Sequence, residues 1–376
     1  MKLITELSVF CMAVLLWMHF GRRPLSEPDR ISGSSWYYSD LLTILLGIGL
    51  TFAAAFRAGF VDTGVYMKLY TRIGTQWANA FNGTIPLDDY GFNLFMILLN
   101  RISSEPGLMV AVTSVLTLVP FLYIMAKYSE DLPFTLLIFF AMSYFTCLNG
   151  IRQIMSAALL TLALPWLRDR KWLPYMLLVA VLSTFHASML VMIPLYFVIA
   201  GKRLNRGIWI FLGAVAFCFA LPSAADRVLG SVLEDTVYAE YLENESQMGM
   251  MRFLVALAPT LLVLLYCWIQ RFNRSGEHTD SSDYQSQRMT DVLINMQIVS
   301  FGFTALGLQM VYFARISMYF TLALPLLLPT LLRGTFETRS AQMLKRAAVA
   351  VMVLYHIYQV YTYDSYGYLN GFYLKF

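Results

Sequence analysis

A chain of 376 residues that is 58% hydrophobic and only 13% charged, with mean hydropathy +0.60, departs from a soluble globular domain, which carries roughly 45–50% apolar and about 25% charged residues. Its formal net charge of +4 is spread along the sequence and gathers into no single basic patch, which argues against a nucleic-acid partner. The composition is that of an all-α, polytopic integral membrane protein, a single transmembrane domain over residues 1–376 with the lipid bilayer as its surroundings.

The apolar runs, in chain order, are Ile4 to Phe20, Leu41 to Phe56, Leu108 to Ala126, Leu132 to Leu148, Ile154 to Leu167, Trp172 to Phe185, Ala187 to Ala200, Ile208 to Leu221, Phe253 to Ile269, Val292 to Met310, Ile316 to Leu332 and Ala347 to Tyr361. They predict a helical bundle of about twelve spans or re-entrant segments. The first run ends in Trp17-Met18-His19-Phe20 in place of a small-residue cleavage pattern, so it is expected to be a span and not a signal peptide. The pair Trp172 to Ala200 is short for two full crossings and allows a re-entrant hairpin. Cys11, Cys147, Cys218 and Cys267 each sit inside an apolar run without C-x-x-C spacing, and are expected to be packing residues.

Basic residues give the orientation. The positive-inside rule places inside the connections holding Arg22, Arg23 and Arg30; Lys127; Arg168, Arg170 and Lys171; Lys202, Arg203 and Arg206; Arg271, Arg274 and Arg288; and Arg333, Arg339, Lys345 and Arg346. Strict alternation then sends Arg57, Arg101, Arg152 and Arg315 to the outer side, with His186 at or towards the outer end of its hairpin. Two outer loops result, 57–105, which contains an amphipathic piece Phe92 to Ile102, and 222–251, which is rich in acidic residues. Asn273 to Arg288 is expected to be a solvated inner linker.

Ionisable residues beside apolar runs are costly, so each is a candidate site. Arg57 ends the second run and leads into R-x-G-x-x-D-T-x-x-Y, in which Asp62 is expected to cap a short helix carrying Tyr66 or to act as a general base. Asp88-Asp89 is expected to be loop acidity. Asn149-Gly150-Ile151-Arg152-Gln153 sets a guanidinium among amides, a combination suited to phosphate or carboxylate oxygens; at helical spacing Asn149 and Gln153 share a face. An arginine snorkelling to the headgroups would read the same way. His186 stands among small polar neighbours in Ser183-Thr184-Phe185-His186-Ala187-Ser188 with no second His or Cys nearby, which leaves a metal role unsupported. Tyr312, Arg315 and Tyr319 are expected on one helical face.

Arg57, Arg152, His186 and Arg315 come from separate parts of the chain to one membrane face, where together they suit an anionic group at headgroup depth. A lipid-linked diphosphate fits: arginines stabilise the charge that grows on the leaving group, and neither a metal nor another cofactor is required.

These residues also resemble a family. Arg57 to Tyr66, Asp89-Tyr90-Gly91-Phe92-Asn93, Asn149 to Gln153, Phe185-His186-Ala187-Ser188, and Arg315 with Tyr319 and Pro325 look like the EpsG-type branch of the Wzy polysaccharide polymerases, over roughly Ala55 to Pro325. Asp89-Tyr90-Gly91 departs from the glutamate expected before Gly-Phe in that family. The resemblance implies a GT-C-like, multi-pass enzyme of the bacterial cytoplasmic membrane with its site facing outward. Such an enzyme moves a growing glycan from an undecaprenyl-diphosphate-linked donor to a lipid-linked acceptor, with a flippase and a chain-length regulator as candidate protein partners. It further implies that Arg152 and Arg315 contact diphosphate, that Arg57 and Asp62 position the acceptor or organise the loop, and that His186 transfers a proton or binds sugar. Tyr66, Asn149, Gln153 and Tyr319 complete the binding set, and Asp62, His186 and Arg152 the catalytic one. A ligase or another lipid-linked glycosyltransferase would use the same arginines. A flippase would favour paired inverted halves, which the sequence lacks, and a membrane acyltransferase would want a carboxylate close to His186, where only Asp169 lies within twenty positions.

Overall fold

A computed structural model describes residues 38–85, 89–220, 250–273 and 281–367, and every regular element among them is helical. The expected first span Ile4 to Phe20, Asp88, the acidic stretch 222–249 and residues 274–280 lie outside the described residues. The helices are α1 (Tyr38–Ala55), α2 (Thr63–Ile73), α3 (Tyr90–Ile102), α4 (Pro106–Tyr128), α5 (Leu132–Cys147), α6 (Ile151–Thr161), α7 (Leu164–Arg168), α8 (Trp172–Ser183), α9 (Met192–Ile199), α10 (Arg206–Ala220), α11 (Met250–Asn273), α12 (Ser281–Leu306), α13 (Val311–Ile316), α14 (Ala323–Thr335) and α15 (Thr338–Ser365).

Among the described residues three helices, Pro106–Tyr128, Met250–Arg271 and Tyr284–Leu306, are long and apolar enough to cross a membrane; a fourth span results if Val311–Phe320 and Ala323–Thr335, bent by 64°, are taken as one. Other apolar runs form helices of 10–17 residues, among them Leu132–Cys147 and Arg206–Ala220. The shortening has local causes. The run Ile154 to Leu167 divides into α6 and α7, with Pro165 in the first turn of α7; a proline lacks the N–H that would continue the preceding helix. Ala187 to Ala200 divides likewise into a 3₁₀ turn, Ala187–Val191, and α9.

The described helices fall into two compact units. One takes the described residues within Met1–Leu162, Leu178–Met189 and Phe336–Phe376, and the other those within Ala163–Leu177 and Leu190–Thr335. In the first, α4 packs on α1 and α6, and α15 packs on α5. Two polar side chains inside this bundle bond across helices: the Tyr144 hydroxyl donates to the Leu50 carbonyl at 2.9 Å and the Gln359 amide to the Ala141 carbonyl at 3.1 Å. Within the expected outer loop 57–105, α2 and α3 are amphipathic helices. Their apolar faces close one core with α4 and α6, built from Tyr70, Phe92, Met96, Ile97, Val110 and Met155. Each side chain buried in this way stabilises the fold by about 1.5–3 kcal/mol.

In the second unit α12 packs on α10, α11, α13 and α14. The segment expected as a solvated linker up to Arg288 becomes helical at Ser281, and Arg288 at its end, like Asp291 and Asn295 beyond it, finds buried partners. Arg288 donates to the Arg168 carbonyl at 2.7 Å, Arg203 pairs with Asp291 at 2.7 Å, and the Asn295 amide donates to the Ile199 carbonyl at 3.1 Å. Three basic connections, at 168–171, 200–206 and 288, therefore meet in this unit. Cys147 and Cys267 are buried and Cys218 is half-buried.

Candidate functional site

The first unit holds a junction of helix ends around Arg57. This residue, just beyond α1, is 3% exposed. Its Nη1 donates to the Ala54 carbonyl and to Ser114 Oγ, each at 2.7 Å, its Nε to Thr63 Oγ1 at 3.2 Å, and its Nη2 to the Leu148 carbonyl at 3.4 Å. One guanidinium thus satisfies carbonyls at the C-terminal ends of α1 and α5, where a cation is favoured by the helix dipole. Burial lowers its pKa to about 10, opposed by Tyr144 and Asp62, so it stays charged at neutral pH.

Asp62 is the residue before α2, yet its side chain makes no cap bond to that helix. Its Oδ2 instead accepts from the Gly150 amide at 2.8 Å, at the N-terminus of α6, where an anion complements the dipole. Gly150 makes this possible with φ 63° and ψ 46°, a left-handed conformation that glycine adopts at little cost. Burial pushes the Asp62 carboxyl above its usual range, against the pull of the Gly150 amide and the Arg57 charge. The left-handed residue also corrects one expectation. Asn149 lies before α6 and turns its Oδ1 to the Gly150 amide at 2.9 Å, whereas Gln153 is inside α6 and 6% exposed; the two do not share a helical face.

Beside this junction, in the first turn of α6, Arg152 donates from Nε to the Tyr66 hydroxyl at 3.0 Å and pairs through Nη1 with Asp89 Oδ2. The same Asp89 oxygen lies 3.5 Å from His186 Nδ1, and Asp89 Oδ1 accepts from the Ala187 amide at 3.2 Å. The three charged or titratable side chains are neither sealed nor fully open: Arg152 is 20% exposed, Asp89 10% and His186 19%. Burial raises the Tyr66 phenol, with Arg152 opposing it.

Gly91 explains how α3 delivers Asp89 to the histidine. Its amide donates to the Thr184 carbonyl at 2.9 Å, and a Cβ there would lie 2.9 Å from the Thr184 backbone carbon and 2.7 Å from its Cβ. Only glycine lets the start of α3 dock against the turn that presents His186. Phe95 and Phe185, with ring centroids 6.0 Å apart, pack beside this contact.

Asp89, taken from the sequence as loop acidity, is the hub of the cluster. The expectation that no carboxylate accompanies His186 fails for the same reason: the partner comes from far along the chain. The signal for it was the Asp89-Tyr90-Gly91 element itself, in which an acid stands two positions before a glycine required for close approach. Arg315 and Tyr319 belong to the other unit. There α13 gives way after Ile316 to a 3₁₀ turn, Ser317–Phe320, so that Arg315 is exposed while Tyr319 is 2% exposed; they do not occupy one helical face. Among the described residues no group of three or more His, Cys, Asp or Glu side chains is arranged to hold a metal ion.

An all-helical membrane protein with a half-buried arginine–carboxylate–histidine cluster is the class that fold and site define. The model of the EpsG family matches residues 40–374, and the chain belongs to that family. Comparison with the curated proteins and with the solved structures finds no match in either.

Proposed function

We propose that this protein polymerises a bacterial surface polysaccharide, transferring the growing glycan from undecaprenyl diphosphate to a lipid-linked repeat unit at the outer face of the cytoplasmic membrane. Membership of the EpsG family supports a polysaccharide polymerase. The observation that carries the diphosphate chemistry is Arg152, held by Tyr66 and Asp89 yet 20% exposed, next to His186. In this reading the shorter apolar helices of 10–17 residues add to the longer spans in a GT-C-like bundle of about twelve passes.

The acceptor hydroxyl oxygen bonds to the anomeric carbon while the bond from that carbon to the diphosphate oxygen breaks, and the lipid diphosphate leaves with the electron pair. Arg152 counters the charge growing on that leaving group. His186 takes the hydroxyl proton. Arg57 and Asp62, committed to helix ends, hold the segment that carries Tyr66 and Arg152.

Purified protein in lipid vesicles, given lipid-linked repeat units, is expected to lengthen the glycan, and Arg152→Ala to stop this without lowering the melting temperature. Failure of the intact protein to lengthen any glycan overturns the reading. Cells lacking the activity are expected to accumulate lipid-linked single units on the outer side; accumulation inside points instead to a flippase.

A further inference from the structure

Asp89 has a geometry that a simple counterion to Arg152 does not require. Its carboxylate is 10% exposed and is shared: Oδ2 meets both Arg152 Nη1 and, at 3.5 Å, His186 Nδ1, while Oδ1 accepts the Ala187 amide at 3.2 Å. The Ala187 bond fixes the backbone immediately after the histidine, and the Gly91 bond to the Thr184 carbonyl fixes it two residues before. The backbone that carries the ring is thereby held on both sides. His186 Nδ1 is buried and makes no hydrogen bond among the described residues, the Asp89 carboxylate lying 3.5 Å from it, yet the side chain keeps 19% exposure. That exposure therefore falls on side-chain atoms other than Nδ1.

We infer that Asp89 is a positioning residue for proton transfer: it holds the proton of neutral His186 on Nδ1, so that Nε2 presents its lone pair to the acceptor hydroxyl. This rests on the polymerase reading of the same site. Which nitrogen of a histidine carries the proton is set by the hydrogen bond the other makes. With Nδ1–H directed at Asp89, the acceptor proton passes to Nε2 as its oxygen bonds to the anomeric carbon, and the resulting imidazolium keeps the Asp89 carboxylate beside it. The charged and titratable groups around this pair are Arg152 from α6, Tyr66 from α2 and, through Tyr66, Asp62. Arg152 and His186 thus share one carboxylate, and the diphosphate competes with Asp89 for the arginine.

The test is ¹⁵N NMR of the full-length protein labelled at histidine, in detergent and mildly alkaline buffer, with the His186 signal identified by its loss in His186→Gln. The intact protein is expected to carry the proton of His186 on Nδ1. Asp89→Ala is expected to move it to Nε2 and to lower kcat by roughly 100-fold or more, the scale of a lost general base. Asp89→Glu is expected to restore both the tautomer and most of the rate. A proton on Nε2 in the intact protein overturns the inference without any variant. So does an Asp89→Ala protein whose kcat lies within a few-fold of the intact one. The expected tautomer in a protein that lengthens no glycan would instead remove the polymerase reading and leave the Asp89–His186 contact standing.

Discussion

Asp62 and Gly150, 88 positions apart, are joined by a 2.8 Å hydrogen bond from the Gly150 amide to the Asp62 carboxylate. The bond ties the loop after α1 to the N-terminus of α6, two residues before Arg152, and so relates the position of the arginine to the Asp62 carboxylate.

Because burial is the largest influence on Asp62 and raises its pKa above the usual 3.8, the folded protein holds this proton more tightly than the unfolded chain. Stability is therefore expected to fall as pH rises from 3.8 through the raised value. Asp62→Asn keeps an acceptor for the Gly150 amide and removes the ionisation. Melting temperatures measured across the acid range should lose this component in the variant; an unchanged pH dependence would count against the assignment.

A Cβ added at Gly150 would meet no neighbouring atom within 4 Å, so the cost of a side chain there is conformational. Gly150→Ala is expected to lose about 1–2 kcal/mol, and Gly150→Asn less, since asparagine tolerates the left-handed region. Equal losses in denaturation of the two variants would contradict a conformational cause.

Gly91→Ala meets the Thr184 backbone directly, and its expected effect is functional. Displacing the start of α3 separates Asp89 from His186, so glycan synthesis should drop more steeply than the melting temperature indicates. Synthesis tracking folded protein one for one across Gly91→Ala and Gly150→Ala would show that the glycine has no special bearing on the cluster.

Tyr66→Phe removes the hydroxyl that accepts from Arg152 Nε at 3.0 Å and keeps the ring in the core. A hydrogen bond of this kind is worth about 1 kcal/mol, so a roughly fivefold fall in kcat/KM is expected. Arg152→Lys, which loses the forked donor set, should fall further. The order of the two variants in a single-turnover assay is the check.

Arg57→Lys preserves the charge but loses most of the donors that reach Ala54, Ser114, Thr63 and Leu148. It should destabilise the protein by about 1–3 kcal/mol while leaving KM for the lipid donor near that of the intact protein. A raised KM with unchanged melting would place Arg57 on the substrate instead.

Much of the site was legible from residue types beside apolar runs. Arg152, His186, Tyr66, Asp62 and Arg57 stand out as polar groups that a membrane protein keeps at a cost, and all five lie in one compact unit. What one-dimensional reading could not supply was partnership. Asp89 follows Asp88 in a polar loop, where acidity is ordinarily solvated, and its bond to the Ala187 amide spans 98 positions. The helical faces expected at Asn149 and Tyr319 do not form because Gly150 and the 3₁₀ turn at Ser317 interrupt the 3.6-residue period on which such faces depend. Arg288 and Asp291 resemble a linker and the edge of a span because their burial depends on the Arg168 carbonyl and on Arg203, both distant in sequence, partners that come together only once the second unit is assembled.

The order in which the cluster's pieces occur has a consequence for biogenesis. Chains emerge and enter the membrane from the N-terminus, so a nascent chain inserted through α6 already contains Arg57, Asp62, Tyr66, Asp89, Gly150 and Arg152. It lacks His186. During that interval Asp89 has only Arg152 to neutralise it, and the histidine joins a carboxylate that is already occupied. His186 is therefore the last of these side chains to be made, and a ribosome-bound intermediate at that stage would hold Arg152 and Asp89 before it holds the histidine.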